Sequence, residues 1–186
     1  AMLSAALEDA QACVHDLTLH EAHGTGTALG DPIEAGSLAA TALASREAPL
    51  LLAGVKASIG HAEPAAGITG LLKLALGLRL GETVPNSQLR ALNPHVRSVL
   101  HDETFMLPVQ LGILVAHDWN GGVSSLSYSG TIVHTVLQNE QLVARHVLAC
   151  PASAYKRRLF AWRHPPHPFA QQHSLTSEEN ASARPS

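Results

Sequence analysis

Two short apolar runs, each leading into a loop that carries glycines and a histidine, and each followed by a proline opening a helix, restrict this chain to an α/β arrangement. Leu3, Leu7, Ala10 and Val14 recur at helical spacing, so residues 2–14 read as an amphipathic helix. Leu17 and Leu19 then suit a short strand over 16–21. After the loop His23 to Asp31, Asp31 stands as an N-cap and Pro32 as a first-turn proline, and Ile33 to Arg46 reads as an alanine-rich helix. Leu50 to Val55 is a continuous apolar run, consistent with a buried parallel strand. The second loop covers 56–63, and Pro64 opens a helix to about Leu80. That helix is apolar nearly all round, a type that belongs in the middle of a larger protein. Residues 85–104 read as irregular, and 105–117 and 122–138 as β.

Composition narrows the function classes. Two cysteines in 186 residues cannot build a disulfide framework, so a reducing, intracellular and cytoplasmic setting is expected. No window of about 18 residues is free of charge and polarity, so no membrane span is expected. The first residues lack the basic region of a signal peptide. A net charge of -3 leaves no footprint for nucleic acid. The charge is unevenly spread: residues 1–140 carry six basic against thirteen acidic side chains, and 141–186 carry six basic against two acidic ones. A globular part over 1–140, a basic Pro-rich linker over 141–173 and a disordered tail over 174–186 are therefore expected.

The two loops carry the chemistry. Both lie where a strand passes into a helix, the functional edge of an α/β sheet. Each holds a histidine, His23 or His61, beside glycines that let a ligand approach the backbone. Two imidazoles meeting at one edge could both donate hydrogen bonds to an oxygen that becomes negative during reaction, with Lys56 adding positive charge. For His15, His20, His95, His101, His117, His146 and His173 the plainer reading, a solvated or structural imidazole, is preferred. Gly24-x-Gly26-x-x-x-Gly30 departs from dinucleotide-loop spacing, and no acidic strand end follows it. His20 and His23 are not a helical His-Glu-x-x-His pair and lack further ligands, so no metal is expected.

Glu21-Ala22-His23-Gly24-Thr25-Gly26-Thr27-Ala28-Leu29-Gly30-Asp31-Pro32-Ile33-Glu34 resembles the first histidine motif of the β-ketoacyl synthases of modular, type I polyketide synthases. Val55 to Gly67, with Lys56-Ala57-Ser58-Ile59-Gly60-His61, resembles the second. Leu92-Asn93-Pro94-His95 and the glycine-rich Gly122 to Thr131 are similar to further stretches of the same family. The resemblance implies a thiolase-like layered αβαβα fold, of which this chain would hold the C-terminal half. It implies decarboxylative condensation of an acyl chain with malonyl-acyl carrier protein, in polyketide or fatty-acid biosynthesis. No cofactor would be bound directly; the substrates would ride on the phosphopantetheine of an acyl carrier protein.

By that resemblance His23 and His61 would donate to the malonyl thioester oxygen, Lys56 would hold the network around His61, and Glu63 would support it from behind. Thr25 and Thr27 match threonines that contact the phosphopantetheine arm, and Leu126 and Gly130 fall in the strand that closes the site. The implied partners are the carrier protein, the N-terminal half of the domain and a second copy in a homodimer.

This sequence departs from the family at several points. The family's nucleophilic cysteine, in a Thr-Ala-Cys-Ser-Ser type of turn, has no counterpart here, since Cys13 reads as a small helix residue and Cys150 lies in the linker. The chain alone is therefore expected to be inactive, and the alternative is a non-catalytic half-domain that acts by binding. Leu126-Ser127 replaces the usual Phe-Gly, and Ile132-Val133-His134 replaces Asn-Ala-His, with His134 read as structural. Tyr155, Phe160 and Trp162 in the linker are expected to pack back on the domain.

Overall fold

The computed structural model describes residues 2–44, 46–114 and 119–139. The expectations for His117, His146, His173, Cys150, the linker aromatics and the tail lie outside these residues.

The elements alternate as the apolar runs demand. Helix α1 (Met2–Asp9) precedes strand β1 (Leu17–Glu21), then α2 (Gly30–Leu38), which continues as a π-helical stretch over Ala39–Leu43, and β2 (Leu50–Ala53). A single turn α3 (Lys56–Ile59), the long α4 (Ala66–Leu80), β3 (Glu82–Thr83) and α5 (Pro94–Val99) come next. β4 (Phe105–Met106), β5 (Gly112–Ile113), β6 (Trp119–Leu126) and β7 (Ile132–Asn139) complete the described part. Five strands form one sheet in the order β4-β2-β1-β6-β7, parallel except for the antiparallel β6–β7 hairpin, while β3 and β5 pair separately. This α/β sheet, with helices on both faces, agrees with the fold class read from the sequence.

Each face of the sheet has its own core. On one, Leu3 and Leu7 of α1 and Ala35 and Leu38 of α2 pack on Leu50 and Leu52. On the other, Leu74 and Leu78 of α4 pack on Leu19, Ala53 and Val123. Leu17 and Leu19 would ordinarily share a face, but the register of β1 against β6 shifts between them and sends them into opposite cores. Helix α4 ends at Gly81, whose φ of +69° favours glycine, and a Cβ there would stand 2.5 Å from the Trp119 ring.

Several boundaries differ from expectation. The first helix stops at Asp9 and only a 3-10 turn follows at Val14–Asp16, because Gln11 takes a left-handed φ of +52°. Lys56–Ile59 is a helical turn within the stretch read as a loop, and the stretch read as irregular contains α5. Asn93 caps α5 by accepting the His95 N–H at 3.0 Å, with Pro94 in the first turn. Asp31 is not the cap of α2. It already lies inside the helix and turns its Oδ1 back to accept the N–H groups of Gly26 at 3.1 Å and Thr27 at 3.3 Å.

Among the described residues, helix α4 is only half covered. Ile68, Leu72, Leu76 and Leu80 recur every four residues along its outer face and are 51–64% exposed. No helix among the described residues is long and apolar enough to cross a membrane.

Candidate active site

β1 and β2 are adjacent and parallel, with Glu21 opposite Ala53, so the loops that follow them leave the same edge of the sheet. The chain then turns to opposite faces, since α2 packs in one core and α4 in the other. Such a divergence opens a crevice beyond the strand ends, and both histidine loops lie there.

The His23 loop is held from within. The two oxygens of Glu34, one turn into α2, accept the backbone N–H of His23 at 2.7 Å and of Gly24 at 2.9 Å. Gly24 and Gly26 both take positive φ, as the tight path requires. Thr27 Oγ1 accepts the Gly30 N–H at 3.1 Å and stands 3.3 Å from Thr25 Oγ1, so the two threonines lie together at the mouth of α2. Burial pushes the Glu34 carboxyl up, while the two N–H groups stabilise its charged form.

The two rings meet edge to face, with centroids 5.5 Å apart and planes at 88°. His61 Nδ1 accepts the Glu63 N–H at 3.1 Å, so a neutral His61 carries its proton on Nε2 as a donor. Glu63 acts here through its main chain. His23 is buried, and its Nδ1 has no hydrogen-bond partner among the described residues. Burial above all, then the charges of Lys56 and His61, lowers the His23 pKa, which keeps that ring neutral and able to donate. Lys56 opens α3, half-buried; burial lowers its pKa against the opposing charges of Glu34, Glu21 and Asp31.

Lys56 and Glu34 also border a cleft of about 500 Å³ whose far wall is apolar, with Leu38, Leu92 and Leu107 among its lining. Leu126 and Gly130 stand on the other side of β1, at the end of β6 and in the turn beyond it, where Gly130 has φ +91°. Cys13 is exposed and precedes β1, at the end of the strand opposite His23. Five strand residues at about 3.3 Å each put it roughly 16 Å from that loop.

Sequence reasoning missed four side chains that hold this edge: Glu34, the paired Glu21 and Lys73, and Asn86. Lys73 had a visible signal, as an isolated charge in the apolar run Leu71 to Leu78, which calls for a buried counter-ion. Asn86 gave none. Its side chain accepts the Gly54 N–H and donates to Leu52 O, both at 2.9 Å, fixing the end of β2 that feeds Lys56.

His20 and His134 stack with centroids 5.6 Å apart, and Ser124 Oγ lies 3.0 Å from His134 Nδ1. A Cβ on Gly122 would come within 2.9 Å of His134 Nε2 and 3.2 Å of His20 Nδ1, so only glycine fits beneath the pair. Burial, then the neighbouring His134, pulls His20 from 6.5 down to about 3, and burial pulls His134 down to about 4. Between pH 6.5 and 4 the unfolded chain therefore binds more protons than the folded one. The stability these rings contribute is complete above pH 6.5 and is lost as pH falls through that window. In a complete domain carrying this region, urea unfolding midpoints are expected to drop between pH 7 and pH 4.5, and to drop less in His134→Gln; an equal drop in both proteins contradicts this.

Residues 1–90 match the family model for the β-ketoacyl synthase C-terminal domain. The chain is 37% identical over 150 residues to a phenolphthiocerol/phthiocerol polyketide synthase of Mycobacterium tuberculosis, covering 77% of this chain and 8% of that one. It is 40% identical over 139 residues to erythronolide synthase EryA2 of Saccharopolyspora erythraea, covering 70% of this chain and 4% of that one. Among solved structures, the oxazolomycin ketosynthase domain OzmH KS7 of Streptomyces albus is similar with a TM-score of 0.66 and 34% identity, covering 74% of this chain and 25% of that one. The ketosynthase of module 1 of the bacillaene synthase of Bacillus amyloliquefaciens is similar with a TM-score of 0.66 and 27% identity, over 72% and 25%. The chain thus spans under a tenth of these curated relatives and a quarter of these ketosynthase structures.

Proposed function

The globular part of this chain belongs to the C-terminal region of the type I polyketide synthase ketosynthases, with their thiolase-like fold, and on that premise we propose that it supplies the histidine donors of a decarboxylative Claisen condensation. In that reaction the bond between the malonyl carboxylate and the α-carbon breaks and carbon dioxide leaves. The electron pair passes to the thioester oxygen as an enolate. The α-carbon then attacks an acyl thioester on a cysteine, and the cysteine thiolate leaves.

His23 and His61 donate to the enolate oxygen as its charge develops, when such donors are worth most. Lys56 sets the local potential, and Glu63 fixes the His61 tautomer. Thr25 and Thr27 contact the phosphopantetheine arm, and Leu126 and Gly130 border the bound chain. The observation that carries this reading is the edge-to-face His23–His61 pair, with His61 Nδ1 occupied and its proton left on Nε2.

The acyl-accepting cysteine comes from the N-terminal half of the domain, which covers the outer face of α4, and the complete enzyme works as an intracellular homodimer with an acyl carrier protein. A complete domain carrying this region is expected to release carbon dioxide from malonyl-acyl carrier protein. Absence of release, with the carrier shown to be loaded, overturns the reading.

A further inference from the structure

Glu21 takes no part in the chemistry above, yet it directly precedes the His23 loop and bonds both to the residue before Lys56 and to the helix that follows the His61 loop. It ends β1, two residues before His23, and is 2% exposed. Its Oε1 accepts the backbone N–H of Val55 at 2.6 Å, the residue directly before Lys56. Its Oε2 accepts from Lys73 Nζ at 2.6 Å, on α4, the helix that follows the His61 loop. Helix α4 is shaped for this contact. One turn before Lys73 it presents Gly70, where a Cβ would stand 3.3 Å from Glu21 Cγ and crowd the passing side chain.

A buried carboxylate and ammonium add little net stability over apolar side chains of the same volume, because both must be stripped of water. Cohesion here needs no charge either, since Leu19, Ala53, Leu74 and Val123 pack around the same place. What the pair adds is a fixed position. Three separate stretches of chain are tied to one carboxylate by two short charge-assisted bonds. Its charge also faces Lys56, together with Glu34 and Asp31 of α2, while His23 faces Lys56 from the loop.

We propose that Glu21, locked by Lys73, is the positioning residue of this site: it sets the His23 loop, the Lys56 turn and the His61 loop relative to one another and holds a negative charge behind Lys56. The inference rests on the donor role of the histidines proposed above.

The test uses a complete ketosynthase domain carrying this region, with Glu21→Gln, Lys73→Met and the double variant. Three readouts are followed: urea unfolding, acyl loading of the cysteine, and malonyl decarboxylation across pH. Glu21→Gln alone should unfold more easily, since it leaves the Lys73 ammonium buried without a counter-charge. The double variant should regain that stability and load acyl groups normally. Its decarboxylation kcat should nonetheless stay about tenfold or more below wild type, with KM within about twofold.

The basic limb of the double variant's pH profile should also move to lower pH, because Lys56 has lost a negative neighbour. A double variant with wild-type kcat and pH profile reduces the pair to scaffolding and overturns the inference alone. A wild-type domain that does not decarboxylate brings down the functional reading and the inference together. Glu21→Asp gives a second measurement that does not depend on the double variant folding. It keeps the charge but shortens the reach, so kcat should fall with the pH limb unmoved; wild-type kcat in Glu21→Asp also overturns the inference.

Discussion

Replacing His61 by alanine in a complete ketosynthase domain carrying this region is expected to slow malonyl decarboxylation by about 10²–10³-fold, the usual cost of one preorganised donor to a developing oxyanion. Acyl loading of the cysteine should stay within about twofold of wild type, because its charge develops on a different oxygen. The size of the effect follows from the geometry. His61 Nδ1 is already engaged by the Glu63 N–H, so the proton needed by the enolate sits on Nε2 without any tautomer change. His23, buried and kept neutral, cannot take over both bonds from its edge-to-face position. Carbon dioxide release from malonyl-acyl carrier protein, read beside the mass of the acyl-enzyme, separates the two half-reactions. Decarboxylation retained at close to the wild-type rate refutes the donor role.

The elements that place the two histidines were legible because their signals are local. An apolar run of strand length, a glycine loop and a proline at a helix mouth each act within a few residues, and β1, α2, β2 and α4 all came from them. Asn93-Pro94 was an equally local start signal for α5, and the surrounding polar residues obscured it. Other features depend on partners far along the chain. The opposite burial of Leu17 and Leu19 is set by the register against β6, about a hundred residues away. Asp31 looks like a cap by position, but the Gly26 and Thr27 N–H groups compete for its carboxylate and win.

At the site, the glycine loops marked His23, Lys56 and His61 and the resemblance gave each an expected role, while nothing in the spacing of Glu21 and Lys73 announces their ion pair. Buried charge is legible as an oddity, a lone Lys73 among leucines, but its partner appears only when the sheet and helix are assembled.

The 186-residue chain expressed by itself is expected to form no covalent acyl-enzyme from an acyl thioester and to elute as large aggregates. The chemical half of this expectation rests on the thiols. Cys13 is exposed before β1, at the end of the strand opposite His23, so it lies away from the edge that carries both imidazoles and neither can serve it as the general base of acyl transfer. The physical half rests on α4. Ile68, Leu72, Leu76 and Leu80 form one continuous aliphatic stripe, and fully burying such a side chain is worth about 1.5–3 kcal/mol. A stripe of that size without cover drives self-association in water.

The N-terminal half of the domain, co-expressed, should cover the stripe and bring the cysteine, restoring a soluble species that loads acyl groups. Size-exclusion chromatography and intact mass measurement decide the matter. A soluble chain that becomes acylated alone defeats the prediction outright. A soluble, cooperatively unfolding chain that stays unacylated would instead favour a half-domain that acts by binding, because a stripe harmless in the free chain would be a surface kept for a partner.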